Sequence, residues 1–264
     1  MDGARIAARK VWRIGGFAGI TGALLPLYVT RDRLTRERDR RAVRDRWVNR
    51  WSSSLLRLFG IQVEYAEYAE YPAAELAKPD GRGRLVVANH RSALDIGILL
   101  QRFGGHMVSR ADLAAWPLLG AAARSVGTVF VDRSSKSSGA ATIRAVRALL
   151  KAGETVLLFP EGTTFEGDIV RPFQSGAFVG ALTTDARVVP VGIAYQTGSE
   201  AAFVGESFTQ HLGRMAGAGA TRVVVRIGEP IDIRDGSRAP EVAAAAQAAV
   251  QALVYDARRA VDRG

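Results

Sequence analysis

The chain lacks cysteine altogether and has only three histidines, His90, His106 and His211, in 264 residues. The first absence excludes a disulfide framework, a thiolate nucleophile and any Cys-ligated zinc or iron–sulfur site. The second leaves no His-rich metal centre to expect. No Gly-x-Ser-x-Gly elbow occurs, and the glycines of Gly81-Arg82-Gly83 lack a following Gly-Lys-Ser/Thr and form a turn, not a phosphate loop. Acidic residues are scarce at one end. Residues 1–60 hold five acids against fourteen Lys/Arg, which accounts for nine of the ten net positive charges. The basic character therefore belongs to an N-terminal segment, and it asks for an anionic partner: nucleic acid, a membrane surface or an acidic substrate.

Long hydrophobic runs are lacking too. Residues 14–30, IGGFAGITGALLPLYVT, are uncharged but number seventeen. As a helix they would reach about 25 Å, short of the roughly 30 Å hydrocarbon core. Arg5, Arg9, Lys10 and Arg13 precede the stretch as in a signal peptide, but no small-x-small cleavage site follows. The reading is an uncleaved helix that dips into or half-spans a membrane. Residues 31–59 continue as a second helix, where Val43, Trp47, Trp51 and Leu55 recur every four residues and arginines fill much of the rest. An apolar stripe with a basic face is the pattern of a helix lying among anionic headgroups. It is also that of a surface helix packed on a domain; the uncharged neighbour favours the membrane. Trp12, Trp47 and Trp51 suit an interfacial belt.

The 48% hydrophobic and 23% charged composition supports one large domain plus an appendage. From Gly60 the period changes. Segments 61–68, 84–88, 106–110, 128–132, 155–159, 187–195 and 222–227 read as strands, several apolar throughout. Helices are expected near 92–103, 111–125, 136–152, 174–185 and 239–262, and the Gly/Ala stretch 213–221 as a surface loop. This predicts a mixed, largely parallel α/β sheet with helices on both faces, residues 60–264, preceded by a two-helix membrane-associating segment, residues 1–59.

Directly after the apolar strand 84–88 comes Asn89-His90-Arg91-Ser92-Ala93-Leu94-Asp95. Open α/β sheets place functional groups at such strand ends. His90 and Asp95 lie five apart across a strand-to-helix turn, with Ser92 a candidate helix cap. The carboxylate could fix one imidazole nitrogen and leave the other as a base; a structural His with a capping Asp fits the same spacing. Company decides for the base. Gly127-Thr128-Val129-Phe130-Val131-Asp132-Arg133 ends a second strand, Phe159-Pro160-Glu161-Gly162-Thr163-Thr164 a third, and Val189-Pro190-Val191-Gly192-Ile193 lies in a fourth.

These four blocks, in this order and spacing, resemble the glycerolipid acyltransferase family, best known for 1-acylglycerol-3-phosphate acyltransferases. The resemblance covers roughly residues 60–230. It implies that His90 is the general base, Asp95 its orienting partner, and the acceptor hydroxyl the nucleophile. It implies an acyl-coenzyme A or acyl-acyl carrier protein thioester as donor, with no metal or cofactor. Arg133 is then the residue for the acceptor's phosphate, Glu161, Gly162 and Thr163 the acceptor-binding loop, Pro190 a supporting turn, and Asn89 a further substrate contact. Two departures matter. Thr164 stands where the family often has arginine, and Arg110 where many relatives have lysine; Arg171 is close enough in sequence to restore positive charge. The Thr164 variant, with the later Gly205–His211 stretch, is similar to the subset acylating lyso-ornithine lipids.

The expected function is O-acylation of a lysolipid at the cytoplasmic face of a bacterial inner membrane. Lysophosphatidate is the first acceptor and lyso-ornithine lipid the alternative. A basic membrane-binding protein without catalysis is the reading from another class. Nucleic acid is not an expected partner, since no aromatics interleave with bases on a sheet. His106 is expected as a structural residue opening a strand, His211 on a surface loop or helix, and Trp116 in core packing first, with lining of the acyl path as the alternative.

Overall fold

The computed structural model describes residues 2–67, 81–132 and 135–263. Two long helices open the chain, α1 (Asp2–Leu34) and α2 (Glu37–Leu58). Then follow β1 (Ile61–Glu67), β2 (Arg84–Ala88), α3 (Leu94–Phe103), β3 (His106–Arg110), a 3₁₀ turn (Ala111–Ala115), α4 (Leu119–Ser125), β4 (Val129–Val131), α5 (Lys136–Lys151) and β5 (Thr155–Leu158). The chain ends through a second 3₁₀ turn (Ser175–Phe178), β6 (Arg187–Tyr195), α6 (Phe208–Gly217), β7 (Thr221–Ile227), β8 (Ile231–Asp232) and α7 (Ala239–Val261).

Among the described residues the sheet runs β1-β7-β6-β2-β5-β3-β4, with β8 beside β6. β6, β2, β5, β3 and β4 are parallel; β7 runs antiparallel to β6, and β1 follows β7. Strands covered on both faces read as continuous apolar runs, which is why β2, β5 and β6 were legible as such. Their alternate residues build two cores. Val86, Ala88 and Val191 join α2, α3 and α6 on one face, while Leu85, Val87 and Val188 join α5 and α7 on the other.

β6 passes under α7 at Gly192, where an added Cβ would stand 2.5 Å from the backbone of Leu253 and Val254. Gly192→Ala must push the helix off the sheet, so it is expected to cost about 1–3 kcal/mol. A denaturant midpoint measures this; an unchanged midpoint would contradict that packing.

The N-terminal pair differs from the sequence expectation. Val48, Leu56 and Phe59 are core residues packed with α3, and Ser52 is fully buried, so the boundary at 59 is crossed by core packing. Trp47, Trp51 and Leu55 line a cavity between the N-terminal helices and the sheet domain. The basic face is not wholly solvated. Arg44 is buried, donates to Glu154 Oε2 at 2.7 Å and faces His106 Nε2, tying α2 to the sheet. Amphipathicity announces that a face is covered, not what covers it.

α1 lies over α2 and α6. Its Arg9 and Arg13 donate to the carbonyls of Met215, Gly217 and Ala218 at 2.8–3.2 Å, capping the open C-terminus of α6. Val11, Trp12, Ile14 and Leu27 of α1 are exposed; Trp12 is 72% exposed. Among the described residues no helix is long and apolar enough to cross a membrane.

Three other expectations change. The 111–125 helix breaks at Pro117-Leu118, where Leu118 takes φ +62° and Leu119 N bonds Pro117 O in a three-residue turn. Residues 174–185 make only a 3₁₀ turn. The 213–221 loop is largely helix α6, started by a capping box between Ser207 and Gln210.

Candidate active site

The end of β2 is extended by a side chain. Asn89 accepts from Ile193 N at 2.8 Å and donates to Ile193 O at 3.0 Å, continuing the ladder to β6. It is fully buried, and it braces the strand end. The next residue turns outward. His90 stacks on Phe159 with ring centroids 3.9 Å apart, while its backbone is pinned by Glu161 Oε1 accepting from N at 2.7 Å and Phe165 N donating to O at 3.0 Å.

Asp95, in the first turn of α3, is fully buried and fully engaged. Its Oδ2 accepts from Arg91 N at 2.7 Å, Ser92 N at 2.8 Å and His90 Nδ1 at 2.9 Å; Oδ1 accepts from Tyr195 Oη at 2.6 Å. A carboxylate held by that many donors is an acceptor only, so the proton between it and His90 is assigned to Nδ1. Nε2 then carries the lone pair. Burial, and next the Asp95 charge, push the Tyr195 hydroxyl well above its ordinary range, which keeps it a donor.

Glu161 is buried and takes both its hydrogen bonds from backbone: His90 N, and Arg171 N at 2.9 Å. Burial raises its pKa, opposed by those two bonds. In the structure Glu161 pins two loops through these bonds. Gly162, at φ +86°, permits the tight turn that follows, and Gly162 and Thr163 line the cavity beside His90. Thr164 donates to the carbonyl of Phe203, whose N–H in turn donates to Arg91 O at 2.8 Å, so loop 198–207 is clasped to the catalytic turn.

The expected arginines are dispersed. Arg133 lies outside the described residues. Arg110 is exposed at the cavity rim and forks onto Asp112 at 3.0 and 3.1 Å. Arg171 is exposed and lies over the Phe165 ring, 5.2 Å away, outside the cavity lining. Pro190 is not in a turn, as expected, but inside β6, where it pairs with Val87 of β2.

His90 opens into a cavity of about 540 Å³ running between the sheet domain and the N-terminal pair, with Phe17, Leu24 and Tyr28 of α1 opposite Trp51 and Leu55 of α2. Trp116 belongs to this wall, edge-on to Phe208 at 4.3 Å, and not to the core. Such a long apolar space suits an alkyl chain. The sequence reading missed Tyr195, Arg91 and His211. Arg91 is buried, and its guanidinium holds Phe165 O and Ile169 O at 3.2 and 3.4 Å. Tyr195 and His211 meet the turn from about 100 residues away or more, beyond any local pattern; the one local signal, passed over, was Ser207-x-x-Gln210, which starts the helix that carries His211.

Comparison with known proteins adds four findings. Residues 62–194 match the family described as Acyltransferase. The chain is 35% identical over 176 residues to a lyso-ornithine lipid O-acyltransferase of Pseudomonas aeruginosa, covering 65% of this chain and 67% of that one. It is 34% identical over 122 residues to a 1-acyl-sn-glycerol-3-phosphate acyltransferase of Neisseria gonorrhoeae, covering 46% and 48%. The alignments thus span between about half and two thirds of these relatives. The crystal structure of a 1-acyl-sn-glycerophosphate acyltransferase, PlsC, from Thermotoga maritima superposes with a TM-score of 0.74 at 22% identity over 98% of both chains, a likeness of fold.

Proposed function

This chain belongs to the acyltransferase family, and on that premise we propose that it transfers a fatty acyl group from a thioester donor to the free hydroxyl of a lysolipid at a membrane surface. One observation carries the reading: an imidazole with Nδ1 fixed on a buried carboxylate stands at the head of an apolar cavity. His90 Nε2 takes the acceptor's hydroxyl proton while that oxygen bonds to the thioester carbonyl carbon. The tetrahedral intermediate collapses with cleavage of the carbon–sulfur bond, and the imidazolium returns the proton to the leaving thiolate. Asp95 stabilises the imidazolium in between, the logic of a hydrolase triad in which the substrate supplies the nucleophile. The donor is an acyl-coenzyme A or acyl-acyl carrier protein thioester. Incubation with labelled donor and a panel of lysolipids tests the reading: a labelled diacyl product supports it, and no labelled lipid with any acceptor contradicts it.

The first acceptor is 1-acyl-sn-glycerol 3-phosphate, with Arg133 serving the phosphate. Arg133→Ala should then raise KM for the lysophosphatidate far more than KM for the donor, because a phosphate dianion needs its cationic partner. A second reading, a lyso-ornithine lipid, is favoured by one local feature: the hydroxyl of Thr164, where an arginine would grip phosphate, is occupied with Phe203. Offering both lysolipids in competition separates the two. Preference for the lysophosphatidate supports the first reading, and preference for the amino-acid lipid the second.

The outer face of α1 is the surface we assign to the bilayer, at the cytoplasmic side of a bacterial inner membrane. Val11, Trp12 and Leu27 would enter the interface while exposed Arg31 and Arg33 meet anionic headgroups. Removing residues 1–59 would strip the core, so the test is made on the surface. Trp12→Asp with Leu27→Asp is expected to weaken binding to phosphatidylglycerol vesicles by roughly 100-fold, about 1.5 kcal/mol or more per apolar side chain. Unchanged sedimentation with vesicles would remove this assignment.

A further inference from the structure

His211 is buried, lines the same cavity as His90, and has no part in the chemistry described so far. Its ring stacks on Phe203 at 4.6 Å. Nε2 lies 3.2 Å from Ser92 Oγ, and Nδ1 lies 3.0 Å from Glu206 Oε1 and 3.1 Å from Arg214 Nη2. The proton can be assigned from the partners. Arg214 Nη2 has two hydrogens, and Ala202 O and Glu206 Oε1 accept them, leaving none for the imidazole. Nδ1–H therefore donates to the Glu206 carboxylate, and Nε2 is an acceptor facing the Ser92 hydroxyl. Burial, the largest influence on His211, lowers its pKa and keeps this neutral form.

Carboxylate, imidazole and hydroxyl stand in the order of a hydrolase triad, but Ser92 is fully buried, lies outside the cavity lining, and its Oγ also accepts from Leu94 N at 3.3 Å. A nucleophile without access to substrate is excluded. What Ser92 does touch is Asp95, whose Oδ2 accepts from its N–H beside Arg91 N and His90 Nδ1.

We propose that His211 is a positioning residue for the acyl transfer: held as the Nδ1–H tautomer by Glu206, it accepts the Ser92 hydroxyl and so fixes the turn that aims Asp95 at His90. The inference rests on the lysolipid acyltransfer reading. With the hydroxyl untethered, the turn relaxes and the base loses alignment with the acceptor oxygen. Binding of either substrate is then nearly unaffected, because His211 makes no demand on their headgroups. Misplacement of a base by a fraction of an ångström costs roughly 10- to 100-fold in turnover.

The test uses the full chain, the wild type's own lysolipid and a labelled thioester donor. His211→Phe keeps a stacked ring but offers no acceptor, and is expected to lose roughly 10- to 100-fold in kcat with KM for the lysolipid within about threefold. His211→Gln places an amide oxygen near the position of Nε2, and should hold kcat within about threefold of wild type. Ser92→Ala removes the tethered hydroxyl from the other side and should reproduce the His211→Phe loss, a check that stands even if the ring variant fails to fold. Wild-type turnover in His211→Phe and Ser92→Ala overturns the proposal, as does a loss in His211→Gln equal to that in His211→Phe, or an effect confined to KM. If the wild type acylates no lysolipid, the underlying reading fails first, and this inference with it.

Discussion

His90→Ala is expected to lower turnover by about 10²–10⁴-fold without unfolding the protein. Among the described residues no other base on the cavity wall is hydrogen-bonded to Asp95, so in the proposed mechanism the acceptor hydroxyl of the variant attacks unassisted. The fold should survive because the truncation leaves the backbone of residue 90 intact, where Glu161 and Phe165 hold it at 2.7 and 3.0 Å. The ring itself contributes a stack on Phe159 and one hydrogen bond to Asp95. Steady-state rates on a variant with wild-type melting behaviour settle the matter. Near-normal turnover would remove His90 from the mechanism.

Asp95→Asn should be nearly as severe, on the order of 10³-fold, and for a narrower reason than loss of geometry. An amide oxygen can take the place of Oδ2 and keep the donors from His90, Arg91 and Ser92. The amide nitrogen then faces Tyr195, whose hydroxyl can turn from donor to acceptor. The tautomer of His90 survives, and what disappears is the negative charge beside the imidazolium. The variant should therefore fold, bind both substrates with little change in KM, and lose kcat. A parallel rise in KM for both substrates would instead mean that the turn had collapsed, while an unchanged kcat would mean that no imidazolium forms.

The strands that deliver the site could be read directly, because β2, β5 and β6 are apolar on both faces and no other element of this length reads that way. The contact of His90 with Asp95 was legible from their five-residue spacing after β2, while their role as base and partner rested on the other three blocks. Glu161 was legible as important, but what it does was not. A carboxylate in a tight loop looks the same whether it accepts from a ligand or from two backbone amides. The stripe Val43, Trp47, Trp51 and Leu55 announced one covered face of α2, and periodicity has no means of distinguishing a bilayer from a cavity lined by α1. Tyr195 and His211 were hidden for a different reason. Their partners, Asp95 and Ser92, lie 100 and 119 positions away, and only the sheet order and the docking of α6 bring them near. The helix break at Leu118 was legible and passed over: Pro117 falls in the interior of the expected 111–125 helix, where it lacks the N–H for a helical bond and its ring crowds the preceding turn.

The central claim is direct transfer: the base activates the acceptor, and the acyl group never rests on the protein. Wild-type protein is mixed with a labelled acyl thioester, once alone and once with lysolipid, quenched within the first turnovers, and the label is counted in the protein and in the lipid. Direct transfer puts label in a diacyl lipid only when lysolipid is present, and none on the protein in either sample. Label bound covalently to the protein in the sample without lysolipid, and passing to lipid when it is added, would contradict it.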